Sequence, residues 1–132
     1  MLKYLLLPPL VLTAGCVSMN GNSSSYVDQN VTTNAAKLIA NDFVRNLKKP
    51  LPPATTTLII KKNNTADNFT PLFIDLLRRN GYNVIYTDQP QKQQNMGVTL
   101  TYRIAPMDKG IMSVVYYDEA GATRYYIRTY NR

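Results

Sequence analysis

Apolar positions change their period several times along the chain, and each change marks an element. Between residues 31 and 47, Ala36, Ile39, Phe43 and Leu47 recur every three or four positions on one face, while Lys37, Asn41, Asp42 and Arg45 lie off it, the pattern of an amphipathic helix. Thr32 or Thr33 is placed to cap its start, Lys48 and Lys49 suit the negative end of its dipole, and Pro50, Pro52 and Pro53 stop it. Residues 55–61 are short and β-branched, which predicts a strand, and Asn63-Asn64 make the turn after it. A second helix begins near Asn68, because Pro71 is tolerated only in a first turn. Phe69, Leu72, Phe73 and Leu76 form its apolar stripe, Arg78 and Arg79 occupy its last turn, and Gly81 stands at the left-handed stop. Residues 82–88 return as a strand, completing a strand-helix-strand unit whose crossover is expected to be right-handed.

After a polar loop at 89–95 the period becomes two. Val98, Leu100, Tyr102 and Ile104 alternate with Thr99, Thr101, Arg103 and Ala105. A turn at 106–110, a strand at 111–117, a turn at 118–121 and a strand at 123–130 follow. The expectation is one α+β domain without internal repeats. It holds a small sheet of about five strands, a strand-helix-strand unit followed by a three-strand antiparallel meander, with two helices.

The first fifteen residues read as a processing signal and not as part of that fold. Lys3 and the free amine form a positive start, and residues 4–12 are an apolar run. A bilayer-spanning helix needs about 20 apolar residues, and Pro8-Pro9 would break one this short. Thr13-Ala14-Gly15 then present small residues before Cys16, an arrangement that resembles the bacterial lipobox. In that class of signal the Cys thiol is diacylglycerated, the chain is cut before it, and the new amine is acylated; Leu usually stands three residues before the Cys, where this chain has Thr13. The alternative is that Cys16 is a small buried hydrophobe. A polar tract follows it, however, and acylation accounts for a secreted chain keeping one unpaired Cys. Val17, where the sorting rule of enteric bacteria places Asp for inner-membrane retention, points to the outer membrane. The expected organisation is a signal peptide at 1–15, a flexible tether with lipidated Cys16 at 16–29, and a periplasmic domain at 30–132.

Composition then narrows the chemistry. The chain has 132 residues, no His, no Trp and one Cys. Catalytic triads that use His, His-ligated zinc or haem, intrachain disulfides and thiolate clusters therefore have no residues to be built from. Asp108, Asp118 and Glu119 are the acids of the C-terminal third, and all fall in predicted turns, where they read as turn formers and not as a catalytic or metal-binding pair. No glycine-rich phosphate loop is present, so no catalytic residue, metal or cofactor is expected. The charge is +7, and +6 once Lys3 is removed with the signal (14 basic against 8 acidic residues). A basic domain suits nucleic acid, anionic lipid or an acidic protein. No nucleic-acid motif accompanies the charge, and a lipid-anchored periplasmic chain seldom meets free DNA or RNA.

The last strand carries the candidate partner surface. Thr123, Tyr125, Ile127 and Thr129 lie on one face, Arg124, Tyr126, Arg128 and Tyr130 on the other. The second face alternates only Arg and Tyr, types enriched at protein interfaces. The alternative is that Arg stacks on Tyr to keep a sheet edge soluble.

Cys16 after a short signal, Asp67-Asn68-Phe69 with Leu76-Leu77-Arg78-Arg79-Asn80-Gly81-Tyr82-Asn83-Val84, the strand Gly97-Val98-Thr99-Leu100-Thr101-Tyr102-Arg103-Ile104 and the Tyr-rich hairpin together resemble the TrbH family. These are small lipoproteins of plasmid conjugal transfer systems. The resemblance implies no catalytic residues. It implies a part in mating-pair formation by a type IV secretion system, in multiple copies within a ring-shaped outer-membrane core, supporting the larger channel subunits. The rival with the same anchor and domain is a lipoprotein that binds and activates cell-wall synthases or assists outer-membrane assembly.

Overall fold

The computed structural model describes residues 24–63 and 65–131. The expected signal and Cys16 lie outside them. In chain order the elements are β1 (Tyr26–Val27), α1 (Thr33–Leu47), a 3-10 turn (Pro53–Thr55), β2 (Thr57–Lys61), α2 (Thr70–Arg79), β3 (Asn83–Thr87), a 3-10 segment (Pro90–Met96), β4 (Val98–Met107), β5 (Gly110–Glu119) and β6 (Ala122–Asn131). The α+β class and both helices are as the sequence predicts. Among the described residues the sheet has six strands, where about five were expected.

Its order is β3-β2-β4-β5-β6, with β1 attached to β4. β2 and β3 are parallel, joined through α2, and β2 is also parallel to β4. β4, β5 and β6 form the antiparallel meander. The sixth strand comes from the expected tether. Tyr26 pairs with Arg103 and Val27 with Ile104, further along the same margin of β4 that β2 occupies at Val98 to Leu100. Two strands thus follow one another along one side of β4. A polar, Ser-rich stretch carries no strand period, so only tertiary pairing fixes this one. The Ser25 hydroxyl accepts from the Tyr102 amide at 3.0 Å.

Both helices cover one face of the sheet. α1 begins where Thr32 Oγ1 accepts from the Ala35 amide, and it buries Ala36, Ile39, Phe43 and Leu47 as its spacing predicts. α2 is capped by Asp67, whose Oδ1 accepts from the Phe69 and Thr70 amides at 2.8 and 2.6 Å. Its buried face is turned from the predicted stripe. Phe73, Ile74 and Leu77 are buried, whereas Leu72 and Leu76 only flank the core. Phe69 lies just ahead of the helix and is fully buried. Phe69 and Phe73 pack on each other and on both Phe43 and Tyr102 at centroid distances of 5.0 to 5.8 Å. Such tilted and edge-on contacts add to what their buried area contributes.

Gly81 ends α2 at φ 96°, the left-handed stop. Gly97 has a different reason. It passes so close to β2 that an added Cβ would stand 2.3 Å from the Thr57 carbonyl oxygen, so a side chain there would push β4 off its parallel neighbour. Two-residue loops close both hairpins: Met107 pairs with Gly110 and Glu119 with Ala122. Asp108 (φ 53°) and Ala120-Gly121 (φ 53° and 81°) hold the left-handed conformations these turns require.

Candidate functional site

β6 is one margin of the sheet, and its two faces meet different surroundings. Arg124, Tyr126, Arg128 and Tyr130 project to the side that α1 covers. Asp42 of α1, expected on the polar side of that helix, is instead 5% exposed and faces them. Its Oδ2 accepts from the Tyr130 hydroxyl at 2.5 Å and the Tyr126 hydroxyl at 3.2 Å. Arg128 stands 3.8 Å from the same oxygen and donates to the Tyr126 hydroxyl at 3.0 Å, and Arg45 reaches Oδ1 at 3.5 Å. Tyr126 also packs edge-on against Phe43. Burial, and then the bond to the Asp42 carboxylate, push the Tyr130 phenol above its ordinary range. The bond to Tyr126 and the nearby Asp42 raise Arg128 further still.

The Arg/Tyr face is therefore divided. Its tyrosines are half-buried and hold β6 to α1, while Arg124 and Arg128 keep about half of their side-chain surface in solvent. Arg124 pairs with Glu119 at 3.1 Å. Of the four residues expected to form the partner surface, the two arginines remain available and the two tyrosines are committed inside the domain. A period of two shows that the faces differ, but not which of them a helix will cover.

The other face carries what sequence reasoning passed over. Tyr125 is 63% and Ile127 58% exposed, and no helix among the described residues lies over them. Tyr125 stacks on Tyr116 at 5.4 Å, and Ile127 pairs across the ladder with Val114. Toward β1 this face ends in Arg103, whose guanidinium lies 4.8 Å from the centre of the Tyr26 ring. The signal was in the sequence: Tyr125 and Ile127 are large and apolar on a strand whose opposite face is polar.

Of the acids expected in turns, Asp108 stands in one, whereas Asp118 and Glu119 are the last two residues of β5, because the two-residue loop extends the ladder to Glu119–Ala122. Asp118 accepts from the Thr123 hydroxyl at 2.5 Å, Glu119 holds Arg124, and Asp108 sits in the β4–β5 loop. At the other end of the sheet, where β2 stops, a crevice of about 410 Å³ is lined by Ser24, Asp28, Lys61, Lys62 and Asp67 among others. Ser24, the first described residue, lies there within 3.4 Å of the Lys61 ammonium. Ser24 thus shares this crevice with two lysines. No helix among the described residues is long and apolar enough to cross a membrane.

These features define a small α+β module with a helix-covered core, a polar clasp at one margin and an open sheet face. Residues 17–132 match the family model described as conjugal transfer protein TrbH, and the chain belongs to that family. Its role is therefore in conjugal transfer, in association with the transfer machinery. No curated protein and no solved structure matches the chain.

Proposed function

We propose that the protein is an outer-membrane lipoprotein, acylated on Cys16 and facing the periplasm, that serves as a structural component of the core complex of a conjugative type IV secretion system. One observation carries the reading: the family match begins at Val17, directly after the Cys that follows an apolar run and three small residues. Each acyl CH₂ contributes about 0.8 kcal/mol, so two or three chains anchor the protein durably. Residues 16–24, fully extended, reach about 27 Å, which keeps the domain close to the membrane surface. Within that reach, Ser24 emerges beside Lys61 and Lys62, cations suited to anionic headgroups. The larger channel subunits are the partners this placement serves, with several copies arranged around the ring.

The test compares the parent with Cys16→Ser in donor cells. The parent takes up radiolabelled palmitate, fractionates with the outer membrane and restores transfer to a deletion strain. Cys16→Ser is expected to lose the label and the fractionation and to lower transfer at least tenfold. A parent with an unmodified thiol, or a variant that transfers at the parental frequency, would overturn the reading.

A further inference from the structure

The outer margin of β6 is unpaired among the described residues, and three properties coincide there. The first is backbone polarity. In a two-residue hairpin the residues flanking the loop exchange ladder bonds, here Glu119 and Ala122. Alternation from that pair turns the N–H and C=O of Arg124, Tyr126, Arg128 and Tyr130 toward β5, and those of Thr123, Tyr125, Ile127 and Thr129 outward. The Ser113 hydroxyl donating to the Arg128 carbonyl from β5 fits this phase. The second is side-chain character. The residues with outward amides place Tyr125 and Ile127 on the open face. The third is charge. On the helix-covered side three guanidiniums, Arg45, Arg124 and Arg128, share two carboxylates, Asp42 and Glu119, so the margin stays positive.

We infer that β6 accepts an extended segment of another protein as an additional strand, and that this segment alternates acidic with apolar residues. Its acidic side chains would lie beside Arg124 and Arg128, its apolar ones beside Tyr125 and Ile127, and its backbone would bond the outward amides. A second copy of this chain would instead set two positive margins together, each on a chain whose net charge without the expected signal is +6. The inference deepens the assembly role proposed above by giving the chemistry of the partner.

The probe is a fluorescent decapeptide alternating Glu and Val, titrated by anisotropy into the purified full chain in detergent, with a Lys–Val decapeptide as comparison. The Glu–Val peptide is expected to bind saturably and at least tenfold more tightly than the Lys–Val peptide. Ile127→Pro removes one outward donor and spares the β5 ladder; Arg124→Ala with Arg128→Ala removes the charge. Each is expected to weaken binding at least tenfold, whereas Lys48→Ala with Lys49→Ala changes it less than twofold. Circular dichroism melts verify folding, and Thr129→Pro replaces Ile127→Pro if the latter fails to fold. The inference fails if the Glu–Val peptide does not bind, if both peptides bind alike, or if the Lys48/Lys49 variant loses as much as the β6 variants. It also fails if the parent sediments as a dimer that Ile127→Pro dissolves. None of these measurements depends on acylation of Cys16 or on transfer, so they stand or fall separately from the anchored role.

Discussion

The two faces of the meander share the same ladder and differ in almost everything else. Under the helices, Leu100, Tyr102, Ile104, Val115 and Tyr117 are buried with the phenylalanines of α1 and α2, and even Ser113 is inaccessible. On the opposite face Tyr116, Tyr125 and Ile127 are just as large, yet the latter two keep more than half of their surface in water. Residue type does not separate the faces; coverage does. A covered aromatic stabilises the fold, whereas an uncovered one leaves its contact area available to something else.

The sharpest way to break this comparison is to truncate one residue on each side of the sheet, first in the helix layer that covers it. Phe73→Ala, fully buried within the aromatic cluster, is expected to cost about 3–5 kcal/mol, comparable to the whole stability of a small domain. It should reveal itself as a sharply lowered urea midpoint or as loss of the folded protein. An unchanged midpoint would mean that α2 does not pack as described.

A smaller effect sits where the faces meet at the margin. Asp42→Ala leaves Tyr126, Tyr130 and Arg128 without their acceptor and is expected to cost about 1–3 kcal/mol. Tyr130→Phe, which removes one of those bonds, should cost about 1 kcal/mol, and the pair should be less than additive in a double-mutant cycle.

The third effect appears only with pH. Tyr82 is 4% exposed and donates to the Leu51 carbonyl at 2.6 Å; burial pushes its phenol up to about 12, against about 10 in an unfolded chain. Because the folded state favours the neutral form, this contribution is complete below pH 10 and declines as pH rises from 10 toward 12. Burial raises Tyr102 in the same direction. Urea midpoints taken at intervals from pH 9 to pH 12 should therefore fall, and Tyr82→Phe should flatten the decline. A parent that is equally stable at both ends would contradict the burial of these phenols.

The smallest effect on stability belongs to the open face. Ile127→Ala should shift the unfolding free energy by no more than about 0.5 kcal/mol. If it destabilises the isolated chain as much as a core truncation does, the face is not open.

The same contrast explains what could be read beforehand. The elements were legible because their punctuation is local: Thr32 caps α1, Pro71 opens α2, Gly81 ends it, and β4 alternates cleanly. Three features were not. β1 has no pattern of its own and exists because β4 offers a free margin beyond β2. Asp42 looks like a solvated helix residue until β6 arrives beside it. The stripe of α2 is offset because Ile74 and Leu77, not Leu72 and Leu76, turn toward the core. Each miss is a case of tertiary pairing overriding local sequence. In β6 both alternating faces carry tyrosine, so alternation alone could not tell which one would be closed.

The clasp on Asp42 also sets an order of events in time. Its hydroxyl partners lie 84 and 88 residues further along the chain, and the bond from the Tyr102 amide to Ser25 spans 77. Contacts of such separation carry the loop-closure entropy of most of the domain and slow folding relative to local helix formation. A chain synthesised amino end first would thus hold Asp42 with only its own-helix partners Arg45 and Asn46 until the final strand was made. The clasp can close only once β6 is in place, and removing that strand would leave both helices specified and Asp42 without its two tyrosine partners.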